Sequence, residues 1–379
     1  MWLYIIKYTK WHFVYFRIFW EVRPLIKFVS VDRVKPGVTL ARDVYGIDTF
    51  TGRIVMLKAG QTLTVSHITK LMGLDLQGVY INEKRISREI IPSESKRELI
   101  NIFDDYHSHI DSASFGLYID KIEDANNVLS NLVDTILDSE DLQFDIDSFD
   151  FHENFRYNHA LSIAVVCIAI AKELRMKKGD IIDLAFAAIL HDIGDSAVPR
   201  ELLDKPAKLS EDEFNVVKTH TTLGYQALLS SSSVSEHVRE GVLSHHERYD
   251  GSGYPEGLHG KAIPFFARII AVADVYSALT SARPYRSAYQ VAEAIEYIMG
   301  NAGRQFDSGV VKAFLKVVSP YPIGSCVKLS SGEKAVVADQ HPENPLRPVI
   351  FLIDDPTAVI DLYNDKCFYN VVITELLED

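Results

Sequence analysis

The sequence predicts a mainly α protein, a helical bundle set between two small β-rich ends, and three observations lead to it. Two nearly unbroken apolar runs, Leu161 to Ala171 and Ile181 to Leu190 with only Asp183 charged, suit buried helices. Ser210-Glu211-Asp212-Glu213 is a capping box, in which the serine bonds the amide of Glu213 and Glu213 returns the bond. Toward both ends, short β-branched runs alternate instead with Pro-Gly, Thr-Gly and Ser-Gly turns.

Residues 1–25 are rich in aromatics but interrupted by Lys7, Lys10, His12 and Arg17. Their apolar stretches fall short of the ~20 residues that span a bilayer, and no small-residue cleavage site marks a secretory signal. Two readings stand for them. One is contact with a membrane surface, which aromatic and cationic side chains favour together. The other is a segment upstream of the natural start, with the folded chain beginning near Lys27-Phe28-Val29. Residues 26–92 read as a small β-rich N-terminal domain, with strands at Val29–Val31, Arg53–Leu57 and Val79–Ile81 and one short helix over Thr64–Leu71.

Residues 93–150 read as a helical, acidic linker. Val128, Leu129, Leu132, Val133 and Ile136 form an apolar stripe at helical spacing, either packing or a homodimer face, and Asp138 to Asp150 is a linker or a solvated face. Residues 151–318 are almost wholly helical. The capping box starts the helix expected to carry His220; Val238, Val242 and His246 share one helical face; and Asp274 follows Ile270 by one turn in a helix that Pro264 opens and Arg283-Pro284 ends. In residues 321–379, Cys326–Leu329, Lys334–Val337 and Pro348–Leu352 read as strands of a small C-terminal β domain, a barrel or a sheet.

Composition narrows the function classes. With 39 Lys and Arg against 52 Asp and Glu the formal charge is −13, which disfavours duplex nucleic acid as a partner but leaves room for a small phosphate ligand. The three cysteines, Cys167, Cys326 and Cys367, are odd in number and far apart, as expected in a reducing cytoplasm.

Five histidines and two aspartates, His159, His191, Asp192, His220, His245, His246 and Asp274, are spread through this helical region. Any one of the histidines alone reads as a satisfied core histidine rather than a ligand. The adjacent pairs His191-Asp192 and His245-His246, each where a helix pattern meets a polar loop, together with Asp274 inside Ile269–Ala273, favour one shared site. Burying imidazoles beside carboxylates is costly unless a cation compensates. Neutral imidazole plus carboxylate is the donor set of a hydrolytic metal centre, and zinc, iron and manganese all suit it.

The strings His191-Asp192-Ile193-Gly194, His245-His246-Glu247-Arg248-Tyr249-Asp250-Gly251-Ser252-Gly253-Tyr254-Pro255, and Ala273-Asp274-Val275-Tyr276 followed by Arg283-Pro284-Tyr285-Arg286 resemble the HD-GYP family, a branch of the HD-domain metal-dependent phosphohydrolases. The resemblance covers roughly residues 151 to 318 and implies a helical HD-type bundle. It implies hydrolysis of cyclic di-GMP to linear pGpG, and onward to GMP in many members, through a metal-bridging hydroxide, with a diguanylate-cyclase-type protein as a potential signalling partner. His159, His191, Asp192 and Asp274 would hold one divalent ion and His220, His245 and His246 a second, with Asp192 bridging; Asp192 and Asp274 would thus be catalytic. Gly253, Tyr254 and Pro255 would face the substrate or a partner, where the alternative is a plain surface turn. Arg283 and Arg286 would contact phosphates, where the alternative is pairing with a helix C-terminus.

Three departures accompany the match. The family's usual lysine after His-Asp-Ile-Gly is Asp195 here, a second aspartate three residues after Asp274 is Ser277, and the glutamate that in some relatives binds a third metal is Phe155. Phe155 favours two metals over three. Asp195 and Ser277 favour a second reading, a metal-loaded but slow or inactive module that binds nucleotide or a partner, and a third, a phosphohydrolase for another cyclic dinucleotide or nucleotide, stays open because these residues do not specify guanine.

Overall fold

The computed structural model describes residues 25–48, 52–73, 76, 78–83, 119–138, 155–229, 231, 233–281, 289–353 and 359–377. The aromatic and basic segment 1–24, the acidic stretch 139–150, and Arg283 and Arg286 lie outside the described residues. The protein is mainly α with small antiparallel sheets, and its described residues divide into two compact units. One contains both β-rich ends: the residues up to Glu83, residues 321–341, and those from Arg347 onward. The other contains the helices, with residues 342–346.

In the first unit, β1 (Leu25–Ser30), β2 (Thr39–Leu40) and β5 (Gly78–Glu83) form an antiparallel sheet in the order β1-β5-β2, while β3 (Val44–Asp48) and β4 (Gly52–Leu57) pair as a hairpin. Helix α1 (Val65–Met72) stands where one short helix is expected. Its capping box pairs Thr64 Oγ1 with the His67 amide and His67 Nδ1 with the Thr64 amide. Leu40, Leu63, Leu71 and Val79 fill the small core. Strands β6 (Cys326–Leu329), β7 (Lys334–Asp339), β8 (Val349–Leu352), β9 (Val359–Asp361) and β10 (Ile373–Leu377) make an open sheet, β10-β6-β7-β8-β9, rather than a barrel. The two parts of this unit touch through the Tyr80 and Phe351 rings, 6.1 Å apart, and through Arg42 Nη2, which donates to Cys326 Sγ at 3.1 Å.

In the second unit, α3 (Phe155–Glu173) and α4 (Lys178–Leu190) pack together at the centre and bury the two apolar runs. Helix α2 (Ile119–Asp138) lies against both. Its stripe, Val128, Leu129, Leu132, Val133 and Ile136, belongs to this core and is therefore packing, with Lys172 Nζ donating to the Ile136 carbonyl at 3.0 Å. Short α5 (Arg200–Leu203), α6 (Glu211–Lys218), α7 (His220–Leu228) and α8 (Glu236–Ser244) follow, then α9 (Phe265–Thr280), α10 (Val291–Gly300) and α11 (Ser308–Val317). Side chains such as Ile163, Ile168, Leu184 and Ile270 are fully buried, each worth roughly 1.5–3 kcal/mol of transfer free energy. No helix among the described residues is long and apolar enough to cross a membrane.

Three helix boundaries differ from the expected ones, and each matters to the site. The Ser210–Glu213 capping box forms, but its helix stops at Lys218, so His220 opens a new helix instead of riding within the first. Helix α8 ends at Ser244, which places His246 past the helix, beyond the face of Val238 and Val242. Helix α9 ends at Thr280, ahead of Arg283-Pro284, with the Ser281 amide closing on the Ser277 carbonyl.

Candidate metal centre

Three of the histidines stand at helix C-termini. His191 caps α4, His245 caps α8, and His220 follows Thr219, the cap of α6. In each, Nδ1 lies 2.8 Å from the carbonyl oxygen three residues earlier: Ala188, Val217 and Val242 respectively. A carbonyl only accepts, so Nδ1 carries the proton and Nε2 is the atom presented to the site. These carbonyls are among those that a helix end leaves without intrahelical partners. The side chain thereby satisfies the cap and is oriented by it, the outer-shell bond typical of a ligating imidazole.

The Nε2 atoms converge on Asp192. Its Oδ2 is 3.0 Å from His191 Nε2, and its Oδ1 is 3.5 Å from both His220 Nε2 and His245 Nε2. Donor atoms of Asp192, His220, His245 and His246 lie within 4.8 Å of one another, and so do those of His159, His191 and Asp192. Asp192 is thus common to both groups. Asp274 stands outside them as they are spaced here, with Oδ1 3.1 Å from His159 Nε2. The other nitrogen of His159, Nδ1, is 2.9 Å from the Ser277 hydroxyl. The departure at Ser277 therefore has a structural counterpart: the short hydroxyl is buried and orients His159.

The arrangement fits a metal. His191 Nε2 is buried without a hydrogen-bond partner; it is within ion-pair distance of Asp192 but does not meet hydrogen-bond geometry. His220 and His245 bring their Nε2 atoms to 3.5 Å of each other, an approach that a shared cation relieves. The Asp192 side chain remains 40% exposed, so the centre is open on one side, as a catalytic site must be.

Glycines let the ligand-bearing segments close up. A Cβ on Gly194 would lie 1.9 Å from the His220 carbonyl oxygen and 2.6 Å from the Gly224 amide, so only glycine allows the turn after Asp192 to sit against α7. At Gly253 a Cβ would lie 2.3 Å from the Arg248 amide, and that contact folds the 251–258 loop back onto the histidine pair. Tyr254 consequently stacks on His246, with ring centroids 4.9 Å apart, and its amide donates to the His246 carbonyl. Buried Glu247 holds the rest of the loop by accepting from the amides of Glu256, Gly257 and Leu258 at 2.7, 3.0 and 3.1 Å.

Residues 146–310 match the family model described as HD domain. A cyclic di-GMP phosphodiesterase of Pseudomonas aeruginosa is 33% identical over 291 residues, which are 75% of this chain and 68% of that protein. This chain belongs to the HD-GYP family. Two further relatives of this HD-GYP protein match over shorter spans. A cyclic di-GMP phosphodiesterase response regulator of Xanthomonas campestris is 47% identical over 39% of each chain. A 3'3'-cGAMP-specific phosphodiesterase of Vibrio cholerae is 41% identical over 38% of this chain and 34% of its own. The chain therefore spans about two thirds of the first relative and less than half of the other two.

Electrostatics in this HD-GYP centre show what a cation would replace. Burial works against a charged His191, but the Asp192 carboxylate, then Asp274 and the Ala188 carbonyl outweigh it and hold the imidazole up at about 9. Burial, then His245, pushes His246 down to about 3, and burial with neighbouring His191 also lowers His245. Asp274 is held below the usual carboxylate range: burial opposes this, and His159, His191 and His246 overcome it. Tyr254 is raised by burial and by the carboxylates of Asp192, Asp274 and Asp195, so its hydroxyl keeps its proton and can donate.

These shifts fix the pH behaviour of the metal-free protein. His191 titrates above its ordinary value of 6.5, so its stabilisation is complete below that value and is lost as pH rises through about 9. His245 and His246 titrate below 6.5, so their contribution is present above it and is lost as pH falls, for His246 toward about 3. Thermal melts after chelation are expected to weaken on both flanks, with acid loss starting near pH 6.5 rather than in the carboxylate range. Metal should remove the alkaline loss by taking the place of the His191 proton. An acid flank that stays flat down to about pH 5 would contradict the neutral, buried state of the His245-His246 pair.

Glu247, Phe214 and Lys218 were not anticipated as site residues. Glu247 stands inside a quoted motif, but nothing local in the sequence shows that its carboxylate would gather three amides from residues 9 to 11 positions later. Phe214 and Lys218 reach Tyr254 only through the folding of α6 against the 251–258 loop.

Proposed function

We propose that this HD-GYP protein hydrolyses cyclic di-GMP to linear pGpG, using two divalent transition-metal ions of the iron, manganese or zinc type. The observation that carries this is Asp192, one carboxylate shared by two imidazole-rich donor groups. In this reading His159, His191, Asp192 and Asp274 hold one ion, and His220, His245, His246 and Asp192 the other. A bound metal pair lowers the pKa of a water and neutralises phosphate oxygens. The chain's own part is positioning. The carbonyls of Ala188, Val217 and Val242 fix three imidazole tautomers, and Ser277 orients His159. Gly253 brings Tyr254 against His246, where its protonated hydroxyl can donate to a phosphate oxygen.

Two further readings have specific support. Relatives of similar identity bear the names of cyclic di-GMP and 3'3'-cGAMP enzymes, so the second messenger is open at the base. The carboxylate of Asp195, close enough to raise Tyr254, opposes an incoming anion and favours a slower enzyme. Metal-replete protein incubated with cyclic di-GMP and with 3'3'-cGAMP, with products identified by mass spectrometry, is expected to give linear pGpG from the first. Absence of product from every cyclic dinucleotide would exclude the enzyme and leave a binding module.

A further inference from the structure

Beside the metal centre lies a cation that the ligand scheme does not use. Lys218 ends α6, two residues before His220. Its ammonium lies 4.8 Å from the centroid of the Phe214 ring and 5.7 Å from that of Tyr254, and it donates to Asn215 Oδ1 at 3.1 Å. It is half-buried, and among the described residues no carboxylate pairs with it. By contrast, Lys205 is clamped by Glu213 of the same helix at 2.6 and 2.7 Å. The Phe214 ring meets Tyr254 edge to face, with centroids 6.3 Å apart and planes at 82°, and is 43% exposed.

A single exposed aromatic is ordinary. This one is flanked by a second ring that stacks on His246 and by a cation with no carboxylate partner among the described residues, in a chain of net charge −13. Rings offer π faces to a base, and an ammonium offers charge to phosphate. Asp195 leaves the turn after Asp192 without a cation, and Lys218 offers one from α6.

We propose that Phe214, Lys218 and Tyr254 form a nucleotide subsite, in which Lys218 contacts a non-bridging phosphate oxygen and the Phe214 ring packs on a purine base. The subsite rests on the reading of the centre as a cyclic dinucleotide phosphodiesterase. Titration calorimetry of a slowly hydrolysed phosphorothioate analogue of cyclic di-GMP into the metal-loaded full chain tests it, with kinetics on cyclic di-GMP alongside. Lys218→Met and Phe214→Ala should each weaken binding about tenfold and raise KM more than they lower kcat, whereas Lys218→Arg should stay within about threefold of the parent. Thermal melts check folding, and Lys218→Gln replaces Lys218→Met should the latter fail to fold. Equal affinity in the parent and Lys218→Met, or an equal loss in Lys218→Arg, overturns the subsite while leaving the phosphodiesterase reading intact. A parent that neither binds nor hydrolyses any cyclic dinucleotide overturns both.

Discussion

Asp192→Ala is expected to abolish hydrolysis, lowering kcat/KM by roughly 10³-fold or more, and to weaken metal binding in both donor groups. The reason is geometric. One carboxylate lies 3.0 Å from His191 Nε2 and 3.5 Å from the Nε2 atoms of His220 and His245, and among the described residues it alone belongs to both donor groups. Asp274 lies beside His159, on the side of one group alone, and so cannot replace Asp192 between the two. Steady-state kinetics with metal content measured on the same samples provide the check. Asp192→Asn should behave similarly, because it keeps the shape and removes the charge. His67→Ala, which removes the capping box of α1 and a contact with Gln61 in the other unit, should retain activity. Turnover in Asp192→Ala comparable to the parent would refute the shared-carboxylate arrangement.

Gly194→Ala is expected to have the largest effect on stability of any methyl-sized change near the site. The added carbon would stand 1.9 Å from the His220 carbonyl oxygen and 2.6 Å from the Gly224 amide, both backbone atoms that cannot turn aside. Either α7 or the turn after Asp192 must move, at a cost of roughly 3 kcal/mol or more. The movement would also separate Asp192 from His220, so metal affinity should fall together with the melting temperature. Gly179→Ala, where nothing lies within 4 Å of the added carbon, is the matched control and should be neutral or slightly stabilising. Thermal melts and metal titrations of the two variants compare the effects directly. Equal melting temperatures for Gly194→Ala and the parent would show that the close approach is not required.

What was legible in the sequence followed strong local signals. The apolar runs of α3 and α4 and the Ser210–Glu213 box each encode their element within a dozen residues, and the structure contains them. The clustering of the histidines and aspartates was legible because adjacent His-Asp and His-His pairs at helix ends have no cheap alternative when buried. Helix ends were less legible. The break at Thr219 arises because the Val217 carbonyl accepts from the His220 imidazole, a side-chain competition that periodicity does not register. Strands β2, β3, β9 and β10 were not read because they are short or polar and owe their pairing to neighbours distant in sequence. Both β-rich ends were expected as separate domains, and the contact of Arg42 with Cys326, 284 positions apart, is the kind of long-range packing that a local pattern cannot encode. The role of Ser277 was invisible for the same reason: its partner His159 lies 118 residues earlier.

The central claim is that two donor groups share one carboxylate, and metal stoichiometry tests it most directly. Elemental analysis of protein purified without chelator, or reconstituted with iron, manganese or zinc, is expected to give two ions per chain, since the described residues hold two donor groups and Phe155 offers no ligand atom for a third. The absence of bound metal, with none taken up on reconstitution, would contradict the account.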